Sequence, residues 1–419
     1  MRTHPEFSSH VQFRSIAPTD NETYPVPPGM SMAIEFPFRR AWPSFVTLRP
    51  SVVVSLRLPG SKYQEDAFNV QSLTIPTTAL KSNLFDVKNA AGWAPEMLEG
   101  YPGEDAASRK RQVAFFGVYD GHGGDQVSKY LRDHLHGLLE SSVEGDVVRV
   151  IKEYRGLGGY LKRYRGGPLA RFRDPPDVEF GRQGIGLDEL AVLAFLKADL
   201  AVLSDPTTLK AGSVGTVALL HSLDTPHSLP HYGSTLLSLT IAHVGDTRAI
   251  LASTSSGRAK VLTENHHADS RVESERLRQS GTGIVTDSFG ESRWGGILAN
   301  TRGIGDREFK SLGVIGEPVV TTQVLKGEEW AFLVLVSDGI TDSMSDQEVV
   351  DLVRGTSDPT KAASNIVRFA EDVGGEDNMT AIVVPLPGWG KMGGVDSSAS
   401  RREFRLRQNS GASGRQKRM

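Results

Sequence analysis

The chain has 419 residues, with 47 Lys+Arg against 50 Asp+Glu, a formal net charge of -3, and no cysteine. Without that sulfur there is no thiolate zinc site, iron–sulfur cluster, disulfide framework or cysteine-nucleophile phosphatase or protease, so any metal must sit on oxygen or imidazole. The composition, 38% hydrophobic and 7% aromatic, can bury a sizeable core, and the near-balanced charge gives no whole-molecule attraction to nucleic acid or an anionic membrane.

Residues 1–45 carry Pro5, Pro18, Pro25, Pro27, Pro28 and Pro37 without helical or strand period, which predicts a flexible tail. With no charged start followed by an apolar stretch, the segment does not read as a secretory signal. Arg2, Arg14, Arg39 and Arg40 have the charge of a transit peptide, but Glu6, Asp20, Glu22 and Glu35 count against one. Residues 46–388 then hold short apolar runs bounded by Gly and Asp: Val52 to Leu58, Val113 to Tyr119, Ser213 to Leu220, Leu236 to Val244, Arg248 to Ala252, Phe332 to Ser337 and Thr380 to Val384. These read as strands. Two segments have helical period, one through Val127, Tyr130, Leu131, His134, Leu135 and Leu138, the other through Leu190, Leu193, Ala194, Lys197 and Ala198.

Strands outnumber helices and several follow one another closely, so an α+β fold of antiparallel sheets flanked by helices fits better than a parallel sheet. Trp330 to Val336 is far shorter than the roughly 18 to 20 apolar residues a membrane span needs. Residues 140–186, with the basic stretch RGLGGYLKRYRGG and its interleaved tyrosines, read as a solvent-exposed insertion rather than a nucleic-acid patch, and 221–232 as a long hairpin loop. Residues 389–419 are Gly/Ser-rich and basic and predict a disordered tail.

Carboxylates recur where strands stop. The run Val113 to Tyr119 ends in Asp120-Gly121-His122-Gly123-Gly124, and Phe332 to Ser337 ends in Asp338-Gly339 with Asp342 close behind. Glu376-Asp377-Asn378 precedes a strand, Glu65-Asp66 follows the first, and Gly245-Asp246 lies between two. A single Asp-Gly after a strand is usually a turn. Several carboxylates gathered at one sheet edge would repel one another unless cations lay between them. Oxygen donors without sulfur select Mg²⁺ or Mn²⁺, and a pair of such ions suits a binuclear phosphohydrolase.

The strings GVYDGHGG, AGSVGTVALL, IAHVGDTRAIL, LANTRGIGDREFK, LVLVSDGITD and GGEDNMTAIVV, in this order, resemble the type 2C (PPM) metal-dependent protein serine/threonine phosphatases from about Val52 to Val384. The resemblance implies a β-sandwich of two antiparallel sheets flanked by helices, and two Mg²⁺ or Mn²⁺ ions with room for a third, weaker one. Asp120 would bridge both metals, with the Gly121 carbonyl, Asp338 and Asp377 as further ligands. Glu65 would serve the second metal with Asp66 beside it, and Asp246 and Asp342 would help hold the third ion. His122 would be the general acid, a role that suits imidazole, whose proton moves near neutral pH. The implied reaction is direct attack of a metal-bridging hydroxide on phosphoserine or phosphothreonine.

One departure stands out: the family's phosphate-binding arginine is replaced by Ser61, leaving Lys62 and Arg57 as the nearby cations for the substrate phosphate. LTENHHADSRVESERLR and VVPLPGWG narrow the resemblance to the fungal mitochondrial subgroup. That implies a mitochondrial location, with cytosol or nucleus as the alternative, and phosphorylated mitochondrial enzymes such as the pyruvate dehydrogenase complex as substrates of a monomeric enzyme. Two rivals stand beside this. Calcineurin-like metallophosphoesterases also use an Asp-x-His step, but Glu264-Asn265-His266-His267 only imitates their later motif, and Asp338 and Asp377 would be unexplained. The other is a weakly active or inactive scaffold that binds phosphoproteins, which loss of the arginine permits.

Overall fold

The computed structural model describes residues 52–56, 64–85, 87, 110–172, 184–224, 230–278, 284–286, 292–294, 296 and 298–411. In chain order its elements begin β1 (Val52–Leu56), β2 (Ala67–Pro76), α1 (Thr77–Leu84), β3 (Lys110–His122), α2 (Gln126–Ser141), α3 (Val147–Gly156) and α4 (Leu187–Ser204). Then come β4 (Gly212–Ser222), β5 (Leu236–Val244), β6 (Arg248–Ser253), β7 (Ala259–Val261), α5 (Arg271–Leu277), β8 (Ile284–Thr286), β9 (Ser292–Trp294), β10 (Ile304–Gly305) and α6 (Arg307–Lys310). The last are β11 (Val319–Lys326), β12 (Trp330–Val336), α7 (Asp338–Thr341), α8 (Asp346–Val353), α9 (Pro359–Asp372), β13 (Met379–Pro385) and α10 (Ala399–Gly411).

Among the described residues two large antiparallel sheets result, one in the order β1-β13-β12-β6-β7 and one in the order β11-β5-β4-β3-β2, with β10 added to β4, beside the small antiparallel pair β8-β9. Alternate residues of each central strand face opposite layers. On β12, Leu333 and Leu335 meet Phe116, Val118 and Ile241 of the other sheet, while Phe332, Val334 and Val336 meet Val349, Ile366 and Phe369 of α8 and α9. The other sheet does the same toward α2 and α4, where Phe115 and Val217 pack on Leu131, Leu135 and Ala194. Burial on both faces makes these strands read as unbroken apolar runs instead of alternating ones. The expected α+β sandwich is the fold observed.

Three expectations need correction. The strand containing Val113 to Tyr119 does not stop at Asp120; β3 continues through His122, pairing Asp120 with Val214, Gly121 with Ser213 and His122 with Gly212. Residues 140–172 of the first insertion are folded rather than solvent-exposed. Val147, Val150, Ile151 and Tyr154 form one face of α3, buried with Leu161 and Leu169 against Val192, Leu193 and Leu196 of α4. The segment after residue 388 is not a disordered tail up to Gly411. Asp351, buried in α8, accepts hydrogen bonds from the backbone N–H and hydroxyl groups of Ser397 and Ser398. Arg401 of α10 then pairs with the buried Glu348 at 3.1 Å. Buried carboxylates demand partners, and the basic tail supplies them. Residues 412–419 and the N-terminal 1–45 lie outside the described residues.

Candidate active site

The carboxylates converge because the two sheets end side by side. Asp120 lies two residues before the end of β3 at His122, Asp338 starts α7 after β12, Asp66 immediately precedes β2, and Asp377 precedes β13. Asp66 is buried, and its Oδ2 accepts hydrogen bonds from the hydroxyls of Ser337 (2.8 Å) and Thr380 (2.7 Å), while its Oδ1 is buried with no hydrogen-bond partner. The Asp338 N–H donates to Asp120 Oδ2 at 3.4 Å. Close approach of Glu65 to β3 requires glycine at 121, since a Cβ there would sit 2.5 Å from the Glu65 carbonyl oxygen.

The electrostatics record the crowding. Burial first, then the neighbouring Asp66 and Asp338 charges, push the Asp120 carboxyl well above the usual range. Burial, with Asp246 and Asp377 among the contributing charges, raises Asp338 to about 7. Burial chiefly, with Asp377 adding to it against the two hydroxyl hydrogen bonds, raises Asp66 to about 6. Asp342 contributes to the field on Asp338 from the exposed side of the cluster.

Glu65 takes a rim position. Its Oε1 accepts the Gly124 N–H at 2.7 Å and its own N–H donates to Asn378 Oδ1 at 2.7 Å. His122, partly exposed, places Nε2 2.8 Å from Asp306 Oδ1, and Asp306 is buried. Burial alone would lower the imidazole pKa; Asp306, with help from Asp246 and Glu65, outweighs it and raises it. Asp246 has one oxygen, Oδ2, on the Asn300 amide at 2.6 Å and the other, Oδ1, buried without a partner.

Lys62, Arg57 and Ser61 lie outside the described residues. Asp306, Asn300 and Asn378 were not singled out by sequence. The signal for Asp306 was present in Gly303-Ile304-Gly305-Asp306, a turn in which Asp306 adopts φ 49°, left-handed and unusual for a residue other than glycine.

The donor set is oxygen throughout, and the partnerless Asp66 Oδ1 and Asp246 Oδ1 with the raised carboxyl pKa values fit the coordination of a divalent cation. Among the described residues no group of three or more His, Asp or Glu side chains is arranged to hold an ion by itself.

A family model for protein phosphatase 2C matches residues 84–154 and 178–379. The chain belongs to the protein phosphatase 2C family. It is 38% identical over 287 residues to protein phosphatase 2C homolog 4 of Schizosaccharomyces pombe, covering 66% of this chain and 72% of that one. It is 31% identical over 284 residues to the mitochondrial protein phosphatase 1K of Xenopus laevis, covering 67% of this chain and 62% of that one. A serine-threonine phosphatase 2C structure from Toxoplasma gondii matches with a TM-score of 0.52 at 19% identity over 86% of this chain and all of that one, a likeness of fold. As a type 2C phosphatase the chain is a protein serine/threonine phosphatase, a hydrolase of phosphoproteins in a family that uses Mg²⁺ or Mn²⁺. No helix among the described residues is long and apolar enough to cross a membrane.

Proposed function

We propose that this phosphatase hydrolyses phosphoserine and phosphothreonine by direct attack of water on phosphorus at the Asp66, Asp120 and Asp338 cluster, with His122 as general acid. The observation that carries the reading is the juxtaposition of repelling carboxylates with the His122–Asp306 pair. Asp120, the Gly121 carbonyl, Asp338, Asp377, Glu65 and Asp66 would hold two ions, and Asp246 with Asp342 a weaker third. When bound, such cations supply a water acidic enough to act near neutral pH and positive charge for the phosphoryl oxygens.

The protein's own part is positional and acid–base. Asp306 occupies Nε2 of His122 and favours the imidazolium, which leaves Nδ1 for the leaving group. As the bond from phosphorus to the seryl or threonyl oxygen breaks, that oxygen keeps the electron pair and takes the proton from His122. The products are the free hydroxyl side chain and inorganic phosphate. Lys62 and Arg57 are the candidates for the substrate phosphate in place of the arginine missing at Ser61.

A mitochondrial location is supported by the name of the Xenopus relative, and phosphorylated mitochondrial enzymes such as the pyruvate dehydrogenase complex would then be substrates of a monomeric enzyme. The decisive experiment is phosphate release from a phosphothreonine peptide with Mn²⁺, with Mg²⁺ and with EDTA. Turnover with either metal and none with EDTA is expected; no turnover from folded protein under any metal would point to the phosphoprotein-binding scaffold.

Gly212 offers a finer probe of His122. A Cβ at this position would lie 2.3 Å from His122 Nε2 and 2.4 Å from Asp306 Oδ1. Gly212→Ala should therefore displace the pair and lower kcat on the phosphopeptide about 10- to 100-fold, the scale of a misplaced catalytic group. Unchanged kcat in a folded variant would argue against His122 as the acid.

A further inference from the structure

We propose that Asp199 of α4, completed by Tyr154 of the folded insertion, is a positioning residue that holds the Gly305–Asp306 turn and so aims His122 at the leaving group. The inference rests on the reading of His122 as general acid.

Asp199 is fully buried, yet it takes no part in the carboxylate cluster. Its Oδ1 accepts the Gly305 N–H at 2.9 Å. Its Oδ2 accepts the Lys310 ammonium at 2.7 Å and the Tyr154 hydroxyl at 2.6 Å. Lys310, also buried, donates in addition to the Gly303 carbonyl at 2.9 Å, and the Gly316 N–H donates to the Tyr154 hydroxyl oxygen at 2.7 Å. One carboxylate thus ties together both ends of the segment that carries Asp306.

That segment needs the restraint. Gly305 and Asp306 have φ of 86° and 49°, and the second is a left-handed conformation uncommon outside glycine, which an aspartate tolerates better than most residues but still at a cost. Such a conformation persists when surrounding contacts over-determine it. The Asp306 N–H also donates to the Ala211 carbonyl at 3.3 Å, which sets the turn against the first residues of β4, beside His122. If Asp199 released Gly305, the turn could relax, and the carboxylate that orients Nε2 of His122 would move with it. A buried ion pair alone would not require this geometry; Lys310 and Asp199 could pair without the Gly305 N–H. The insertion then acts on the reaction through Tyr154, whose hydroxyl joins α3 to Asp199 and to the far end of the same segment at Gly316.

The test separates acid positioning from general stability by leaving group. A threonyl oxygen needs a proton as it departs, whereas p-nitrophenolate leaves without one near neutral pH. kcat is measured with Mn²⁺ on a phosphothreonine peptide and on p-nitrophenyl phosphate, for the full-length wild type, His122→Ala, Asp199→Asn and Tyr154→Phe. The peptide-to-nitrophenyl ratio should fall about 10-fold in Asp199→Asn and about 3-fold in Tyr154→Phe, with His122→Ala showing the largest fall. A lowered ratio in His122→Ala with unchanged ratios in both other variants overturns the inference and leaves the acid assignment standing. An unchanged ratio in His122→Ala overturns the acid assignment, and the inference falls with it. Should Asp199→Asn fail to fold because Lys310 is left unpaired, Tyr154→Phe, which keeps that ion pair, decides the matter alone.

Discussion

Asp120→Asn is expected to lower kcat/KM for a phosphothreonine peptide by about 10³-fold or more while raising the melting temperature of the cation-free protein. The two effects have one cause. Asp120 has its carboxyl pushed well above the usual range, by burial first and then by the Asp66 and Asp338 charges. Replacing it with a neutral side chain of the same shape removes repulsion, and its amide oxygen can still accept the Asp338 N–H. The same change removes the ligand proposed to lie between two cations, whose loss withdraws several kcal/mol of charge stabilisation, a thousandfold at about 1.4 kcal/mol per decade. Thermal scans with EDTA and with Mn²⁺, beside peptide kinetics, check it. A variant that is less stable than wild type without cation, or that keeps near-wild-type turnover, would sink the assignment of Asp120.

What could be read from sequence follows from how burial writes itself into residue patterns. The central strands were legible because both faces are buried: Leu236 to Val244 was read with the bounds that β5 has. Strands β2 and β11 were missed because Gln71, Ser72 and Thr74 in one, and Thr321, Thr322 and Gln323 in the other, interrupt the apolar run where a sheet face meets solvent or a helix edge. The acidic residues were legible because chemistry at strand ends needs side chains that a core would not tolerate. Asp306 was not. Its partner His122 is 184 residues away, and although Gly303-Ile304-Gly305-Asp306 hints at an unusual backbone, nothing local points to that partner or to the network behind it. The insertion and the C-terminal helix were misread for a related reason. Tyr154 and Arg401 look like parts of solvated basic segments until the buried carboxylates they satisfy, Asp199 and Glu348, are seen on distant helices.

Those buried carboxylates also make a prediction about pH. In the cation-free protein Asp66 and Asp338 have their carboxyls raised to about 6 and about 7, and Asp120 is raised well above the usual carboxylate range. An acid whose pKa is higher in the folded than in the unfolded state favours folding while protonated, and that contribution is lost as pH rises through the folded value. His122, raised by Asp306, acts in the same direction. The buried His243 and His266 act oppositely, since burial holds both below the usual range, but their contribution is complete once unfolded histidines have lost their protons near pH 6.5. Above that pH the carboxylates dominate. Asp66 is mostly ionised by about pH 6.5 and Asp338 titrates at about pH 7, so at about 1.4 kcal/mol per pKa unit the melting temperature with EDTA should fall by about 2 °C between about pH 6.5 and about pH 7.5 and level off above that. Mn²⁺ or Mg²⁺ binds the ionised form, so its stabilising effect should grow over the same interval and flatten or reverse the trend. Asp338→Asn should shallow the slope with EDTA near about pH 7 by removing the group that titrates there. Parallel slopes with and without cation would mean that the cluster does not take up a divalent ion, and the metal reading of Asp66, Asp120 and Asp338 would fall.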